Sequence, residues 1–179
     1  MITSRKELKE YLEADKKMKG ITKKRPALVG DEVWKFQIAL RHYEYCLNTH
    51  KRIWQFFWGV IFHHLSITLG FDIFPNVFGK GLCIHHFGCI VVSKYASVGE
   101  NCIINQCVNI GQNKDVTDVP RIGNNVYIGP GVQIFGAIEI ADDIAIGAGS
   151  VVNKSFTEPA ITIAGVPARK IGERDYRLT

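Results

Sequence analysis

Valine or isoleucine occupies every sixth position from residue 92 to residue 152 of this 179-residue chain. The eleven positions are Val92, Val98, Ile104, Ile110, Val116, Ile122, Ile128, Ile134, Ile140, Ile146 and Val152. Glycine directly follows five of them, and the residue four positions after the aliphatic one is small or aliphatic in most repeats. A fixed short period of this kind is the mark of a solenoid.

A six-residue unit accommodates one short strand and one turn, so three units complete one coil of a triangular prism. Equivalent residues in stacked coils then lie 18 positions apart in the sequence, and neighbouring coils are spaced like paired strands, about 4.8 Å. The periodic aliphatic side chains point inward, and glycine permits the backbone angles of a tight corner. The pattern therefore predicts a mainly β fold, a parallel β-helix, over residues 71–172, followed by a C-terminal tail at 173–179.

Residues 1–70 lack the period and are predicted to form an N-terminal α-helical extension. Ser4 and Glu7 have the spacing of a capping box, which predicts a helix to about Lys19. Asp31 is expected to cap a second helix. The aromatic segment 53–71 is close to the length of a membrane span but contains histidines and two glycines. We favour a buried helix that packs on the prism or on another subunit. The alternative is peripheral contact with a membrane interface, which its tryptophans and the flanking basic residues suit.

Charge and cysteine usage limit the partners and the compartment. The net charge is +5, and the basic residues concentrate near both termini. Such runs are usually solvated surfaces, although they also attract anionic ligands such as a phosphate-bearing cofactor or an acidic polysaccharide. No motif for nucleic-acid binding is present. Five cysteines without a CxxC pair, and no signal peptide, indicate a reducing, cytoplasmic location.

Side chains fill the interior of such a prism, so chemistry is expected on its outer faces or between prisms. Two polar stretches are candidates: residues 81–92 and 112–121. His86 occupies a position where an aliphatic residue is expected, so the first coils must be irregular if it is to reach a substrate. A neutral histidine accepts a proton from an attacking hydroxyl. It needs an acidic residue to orient it, and Asp72 is the best candidate.

Two runs carry a resemblance to a known family: GFDIFPNVFGKGLCIHHFGCIVVSKYASVGENCIINQCVNIG and IGAGSVVNKSFTEPAITIAGVPARKIG. They resemble serine acetyltransferases and the related enzymes that acetylate sugar hydroxyls, which are hexapeptide-repeat acyltransferases. The resemblance covers Gly70 to Gly172 and implies a left-handed β-helix, against the usual crossover rule. It implies direct acetyl transfer from acetyl-CoA to a hydroxyl, with His86 as base and Asp72 as its partner, and no metal.

The same resemblance implies a homotrimer in which the coenzyme A arm lies in a groove between two prisms. By charge and location, Lys154, Arg169 and Lys170 are candidates for contacts with the CoA phosphates. The cofactor positions as a whole are Gly111, Gly129, Ala148, Lys154, Ala164, Arg169 and Lys170. Candidate contacts to the acceptor are His85, Asn113 and Arg121.

Three differences from the serine acetyltransferase pattern bear on which acceptor the protein is expected to use. His85 stands where serine acetyltransferases usually carry Asp, and the helical region is shorter. Asp118 and Val119 stand where an Arg-His pair helps to hold the serine carboxylate, and they cannot replace those two donors. We therefore expect a neutral acceptor, a sugar hydroxyl of a surface polysaccharide or its precursor. The alternatives are serine O-acetylation with a remodelled carboxylate site, a zinc hydro-lyase that uses the adjacent histidines, and a non-catalytic scaffold.

Overall fold

Three helices precede the β structure in the computed structural model, which describes residues 1–174. They are α1 (Arg5–Met18), α2 (Glu32–Asn48) and α3 (Arg52–Leu69). The predicted capping box is confirmed, because the Ser4 hydroxyl accepts from the Glu7 amide at 3.2 Å and the Glu7 carboxylate accepts from the Ser4 amide at 2.9 Å. Asp31 is the N-cap residue of α2, as predicted, but it has a φ of 59° and its side chain makes no capping hydrogen bond; the carboxylate instead accepts from the amide of Ala27.

The remaining described residues form short strands that wind around a prism. The strands are β1 (Phe71–Ile73), β2 (Cys83–Ile84), β3 (Ile90–Val92), β4 (Ser97–Val98), β5 (Ile103–Ile104), β6 (Asn109–Gly111), β7 (Arg121–Ile122), β8 (Tyr127–Ile128), β9 (Gln133–Phe135), β10 (Glu139–Ile140), β11 (Ala145–Ile146), β12 (Val151–Val152), β13 (Ile161–Gly165) and β14 (Ala168–Glu173). They make a five-stranded sheet (β1-β3-β6-β9-β12), a three-stranded sheet (β4-β7-β10) and a six-stranded sheet (β2-β5-β8-β11-β13-β14). Every pairing is parallel except the final hairpin of β13 and β14. The C-terminal residues 175–179 of the predicted tail lie outside the described part of the chain.

The register shows how the six-residue period builds the coils. Val92 pairs with Ile110, 18 positions on, as predicted. Val98 pairs with Ile122, however, which is 24 positions on. The extra six residues lie in the loop 112–120, where Val116 is 53% exposed. The prediction that Val116 is a core position is therefore wrong, because an insertion of one full repeat preserves the phase of the period without adding a strand. The other ten periodic residues are buried.

The first coil is irregular in a way that matters for His86. Ile84 pairs with Ile104, which is 20 positions on instead of 18, so the first coil holds two extra residues. Ile84 takes the inward position that the period assigns to His86, and it is completely buried. His86 lies in the loop that follows and is exposed. The irregularity that an accessible His86 requires is thus confirmed.

A buried ion cluster joins α1 and α2 to the first coil. Arg41 is fully buried; its guanidinium contacts Asp15 at 2.8 Å and Glu44 at 3.0 Å. It also donates to the carbonyl oxygens of Phe78 and Gly79, at 3.0 and 2.6 Å. Burial alone would lower the pKa of Arg41, but the two carboxylates hold that pKa above its ordinary value. The helical extension therefore shares one core with the prism, and apolar residues of α2 belong to the same buried cluster as the periodic residues.

Helix α3 packs on α2 by one side and leaves an apolar side uncovered in the single chain. The exposed residues on it include Ile53, Trp54, Phe56, Phe57, Val60 and Ile67. Among residues 1–174, no helix is both long enough and apolar enough to cross a membrane. Packing against another subunit and peripheral contact with a membrane both remain predictions for this surface.

Candidate active site

The histidine loop connects β2 to β3, at the corner between the six-stranded and the five-stranded sheets. His85 donates its amide to the Ile104 carbonyl at 3.2 Å, and the Gly88 amide donates to the Leu69 carbonyl at 3.0 Å. The backbone is thus fixed at both ends while the side chains of His85 and His86 are exposed, with ring centroids 6.1 Å apart. Burial, Lys19 and His86 lower the pKa of His85, in that order of importance. The loop therefore presents imidazole nitrogens at the prism corner.

Asp72 lies in the first coil, the same coil that carries His86. It is the central residue of β1, is exposed and pairs with Val91 of β3, the strand that follows the histidine loop. Within residues 1–174, no hydrogen bond or ion pair joins the side chains of Asp72 and His86. The structure thus brings the two predicted catalytic residues to one coil, and their pairing remains a prediction.

A cavity of about 420 Å³ lies between the histidine loop and the helical extension. The end of α1, the start of α2 and the β2 region line it, with the residues Met18, Lys19, Ile21, Asp31, Glu32, Val33, Trp34, Cys83, His85 and Phe87. The Lys19 ammonium donates to the Ile84 carbonyl oxygen, and burial lowers the pKa of Lys19. Lys19 was missed as a site residue because, in the sequence, it is one of many lysines near the N-terminus. Only the packing of α1 on β2 distinguishes it.

The glycines predicted to face the cofactor have different local roles. Gly129 follows β8 at the histidine corner, and a Cβ there would lie 2.8 Å from the backbone nitrogen of Ala148 in the next coil. Gly129 is therefore required by the close stacking of coils, and Ala148 beside it is exposed. Gly111 ends β6 at the opposite corner of the five-stranded sheet, where a Cβ would make only ordinary contact with Asn109 at 3.4 Å.

The C-terminal hairpin carries three of the predicted cofactor residues. Ala164 lies in β13, and Arg169 and Lys170 lie in β14, next to a turn whose Gly165 amide donates to the Ser150 hydroxyl at 3.2 Å. The Lys170 ammonium already contacts two carboxylates, at 2.8 Å and 2.9 Å, which raise its pKa. Arg169 and Lys154 are exposed and make no ion pair with any residue of the part described.

In the loop 112–120, Asp118 and Val119 do not offer the two hydrogen-bond donors of the family's Arg-His pair. The Asp118 carboxylate accepts from the amides of Lys114 and Ala137, at 3.3 Å and 2.5 Å, so it holds the loop closed. Val119 packs against the hydrophobic core. Asn113 lies in this loop, while Arg121 lies in β7 on the three-stranded sheet and lines a separate cavity there. A single chain therefore does not bring the three predicted acceptor residues, His85 included, together.

The zinc hydro-lyase alternative requires a cluster of metal-ligating side chains. Among residues 1–174, no cluster of three or more His, Cys, Asp or Glu side chains is placed to hold a metal ion.

A prism of stacked hexapeptide coils is the architecture expected of a hexapeptide-repeat acyltransferase. The structure superposes on that of the Brucella abortus serine acetyltransferase in complex with coenzyme A, with a TM-score of 0.73 and 31% sequence identity. The match covers 96% of this chain and 70% of that one. The chain belongs to the serine acetyltransferase family, and the predicted left-handed parallel β-helix with a helical extension is confirmed.

Sequence comparison gives the same relatives. The chain is 36% identical over 119 residues to the serine acetyltransferase of Synechococcus elongatus and 39% identical over 116 residues to that of Escherichia coli K12. The matches cover 64% and 63% of this chain but only 48% and 42% of those proteins, so the chain spans about half the length of the curated relatives it matches. A scan against family models finds no match. These relatives favour the serine alternative over the predicted sugar acceptor.

Proposed function

We propose that the protein is an acetyl-CoA-dependent O-acetyltransferase, with L-serine as the acceptor that its relatives favour. The observation that carries the proposal is the exposed His86, held at a prism corner by the two extra residues of the first coil. The coenzyme A bound to the Brucella abortus relative supports acetyl-CoA as the co-substrate.

His86 acts as the general base in this mechanism. Its neutral imidazole accepts the proton of the acceptor hydroxyl while the oxygen attacks the thioester carbonyl of acetyl-CoA. When the carbon–sulfur bond breaks, the imidazolium returns the proton to the departing thiolate. The products are the acetyl ester and free CoA, with no covalent enzyme intermediate. Asp72 stabilises the imidazolium and fixes its orientation once the acceptor is bound. The hydrogen bond between Asp72 and His86 would form in the reactive complex, where catalytic contacts tighten.

Cofactor binding is proposed to use two neighbouring subunits of a homotrimer. Gly129 and Ala148 lie at the histidine corner, whereas Gly111 and Lys154 lie across the five-stranded sheet at the next corner. In a groove between two prisms, the histidine corner of one subunit and the next corner of its neighbour would contact the same cofactor molecule. Of the predicted phosphate contacts, the exposed Lys154 and Arg169 suit the role better than Lys170, whose charge is already compensated.

A sugar hydroxyl is the second candidate acceptor, and one specific observation favours it. In the family, an Arg-His pair in the loop after the third coil helps to hold the serine carboxylate. Here Asp118 closes the loop and Val119 packs into the core, so neither is available to bind a carboxylate. An acceptor without a carboxylate would not need that pair.

Replacement of His86 tests the proposed chemistry. His86→Ala should abolish thiol release from acetyl-CoA in the presence of acceptor and leave CoA binding, measured by thermal shift, nearly unchanged. His63→Ala is the matched control, since His63 is an exposed histidine on α3. Near-normal turnover by His86→Ala would rule out the mechanism.

The acceptor is identified by thiol release with L-serine and with a panel of neutral and acidic sugars. Turnover with L-serine alone would eliminate the sugar candidate, and turnover with sugars alone would eliminate serine. Failure of the protein to bind CoA would overturn the transferase proposal itself.

A further inference from the structure

The cavity beside the histidine loop contains a cation without an anionic partner. Lys19 is partly buried at the end of α1, and its ammonium donates to the carbonyl oxygen of Ile84. No carboxylate lies within ion-pair distance of this ammonium among residues 1–174. An ammonium has three donors, so two of them are available to a ligand in the cavity.

The acidic residues of the same cavity are already engaged. Asp31 pairs with Lys23 at 3.1 Å and also accepts a backbone amide at 2.9 Å. Glu32 pairs with Lys35 at 3.3 Å and accepts a second backbone amide at 3.0 Å. Each carboxylate is thus paired with another lysine, and Asp31 attracts Lys19 only through space, so within residues 1–174 the Lys19 ammonium has no carboxylate in direct contact.

We propose that Lys19 binds a carboxylate of the acceptor and so determines which hydroxyl compounds are acetylated. The inference rests on the proposed function, since it assigns the substrate class of the same site. The shared chemistry is a hydroxyl next to a carboxylate, which two sources offer: an amino acid such as L-serine, or a sugar acid such as a uronic acid. Lys19 would supply the contact that Asp118 and Val119 cannot make.

The geometry fits an acceptor of this kind. Lys19 is bonded to Ile84, which precedes His86 by two residues, so the Cα atoms of Ile84 and His86 are at most about 7 Å apart. His85 and Phe87, which flank His86 in the loop, line the cavity, so a carboxylate bound at Lys19 would lie beside the loop that carries the proposed base. Burial lowers the pKa of Lys19, and a bound anion would raise that pKa again by stabilising the ammonium.

The test compares acceptors with and without the carboxylate. L-serine is paired with L-serinamide, and D-glucuronate with D-glucose. For the favoured acid, Lys19→Met should raise KM about ten- to a hundred-fold, the effect of losing a charged hydrogen bond. The KM of the neutral member and that of acetyl-CoA should not change. Lys19→Arg should restore most of the preference. Lys17→Met is the control, because Lys17 is an exposed lysine of the same helix.

Direct binding separates failure of this inference from failure of the proposed function. Isothermal titration of wild-type and Lys19→Met protein with L-serine and with D-glucuronate needs no turnover, and thermal melts check that the variant is folded. Loss of acid binding in the folded variant supports the inference even if no acceptor is acetylated. An equal effect on acid and neutral acceptors would overturn it, because Lys19 would then only join α1 to β2. Absence of carboxylate binding by the wild type would overturn it as well.

Discussion

Substitution of Arg41 by methionine should destabilise the protein more than any exposed charge change. Arg41 is completely buried, and Asp15 and Glu44 are 3% and 1% exposed. Its removal leaves two buried carboxylates without their cation, although each keeps a hydrogen bond from the backbone, to Asp15 from Gly81 and to Glu44 from Asn76. Breaking a buried ion pair by removal of one partner typically costs about 3–5 kcal/mol. The two carbonyl oxygens that Arg41 contacts in the first coil also lose a donor.

Urea unfolding of wild-type and Arg41→Met protein, followed by circular dichroism, measures this cost. The control is Lys9→Met, which removes an exposed ion pair with Glu13 at 3.7 Å; such pairs contribute at most about 0.5 kcal/mol. A loss below about 1 kcal/mol for Arg41→Met would refute the reasoning, because buried carboxylates would then tolerate the absence of their cation. An equal loss in the two variants would refute it too.

Two further substitutions follow from local geometry. Gly129→Ala should cost about 1–3 kcal/mol in urea unfolding, because its Cβ would lie 2.8 Å from the backbone of the next coil; Gly172→Ala, with open space around it, is the control, and equal stability of the two would contradict the stacking argument. Hydrogen bonds from the backbone and side chain of Thr3 lower the pKa of Glu7 from 4.5 to about 2, so its stabilisation of α1 is present above pH 4.5 and is lost as the pH falls towards 2. Glu7→Gln should remove that acid-dependent loss of helix in NMR or circular dichroism titrations, and an unchanged titration would show that the capping box does not contribute.

The fold was predictable from the sequence because each coil repeats the same inward side chain. The error at Val116 shows the limit of that signal. An insertion of six residues is invisible to a period of six, and only the pairing of Val98 with Ile122 reveals it. The irregularity at His86, in contrast, is visible in the sequence, because a histidine stands there in a position where the period requires an aliphatic residue. The two extra residues of the first coil resolve that conflict.

Contacts between the helices and the first coil were not predictable in the same way. Lys19 and Ile84 are 65 positions apart, and Arg41 meets Asp15 through the packing of one helix on another. No periodicity links such residues, since their proximity depends on where α1 and α2 pack. For this reason the sequence identified the candidate base and the β-helix but did not identify Lys19 as a lining residue of the cavity beside the histidine loop.

The regular coils and the irregular parts of the structure are proposed to have different roles: the regular coils bind the cofactor, and the first coil and the helices bind the acceptor. Gly129 and Ala148 belong to regular coils, and their backbones stack too closely for a side chain between them, which suits an extended cofactor arm along the surface. His86 is exposed only because the first coil is longer, and the helical extension, not a repeat, adds Lys19. Acceptor choice should therefore depend on contacts between the helices and the first coil, whereas cofactor binding should depend on the regular prism. On this division, related chains that share the prism and differ in the helices would keep acetyl-CoA and change the hydroxyl compound they acetylate.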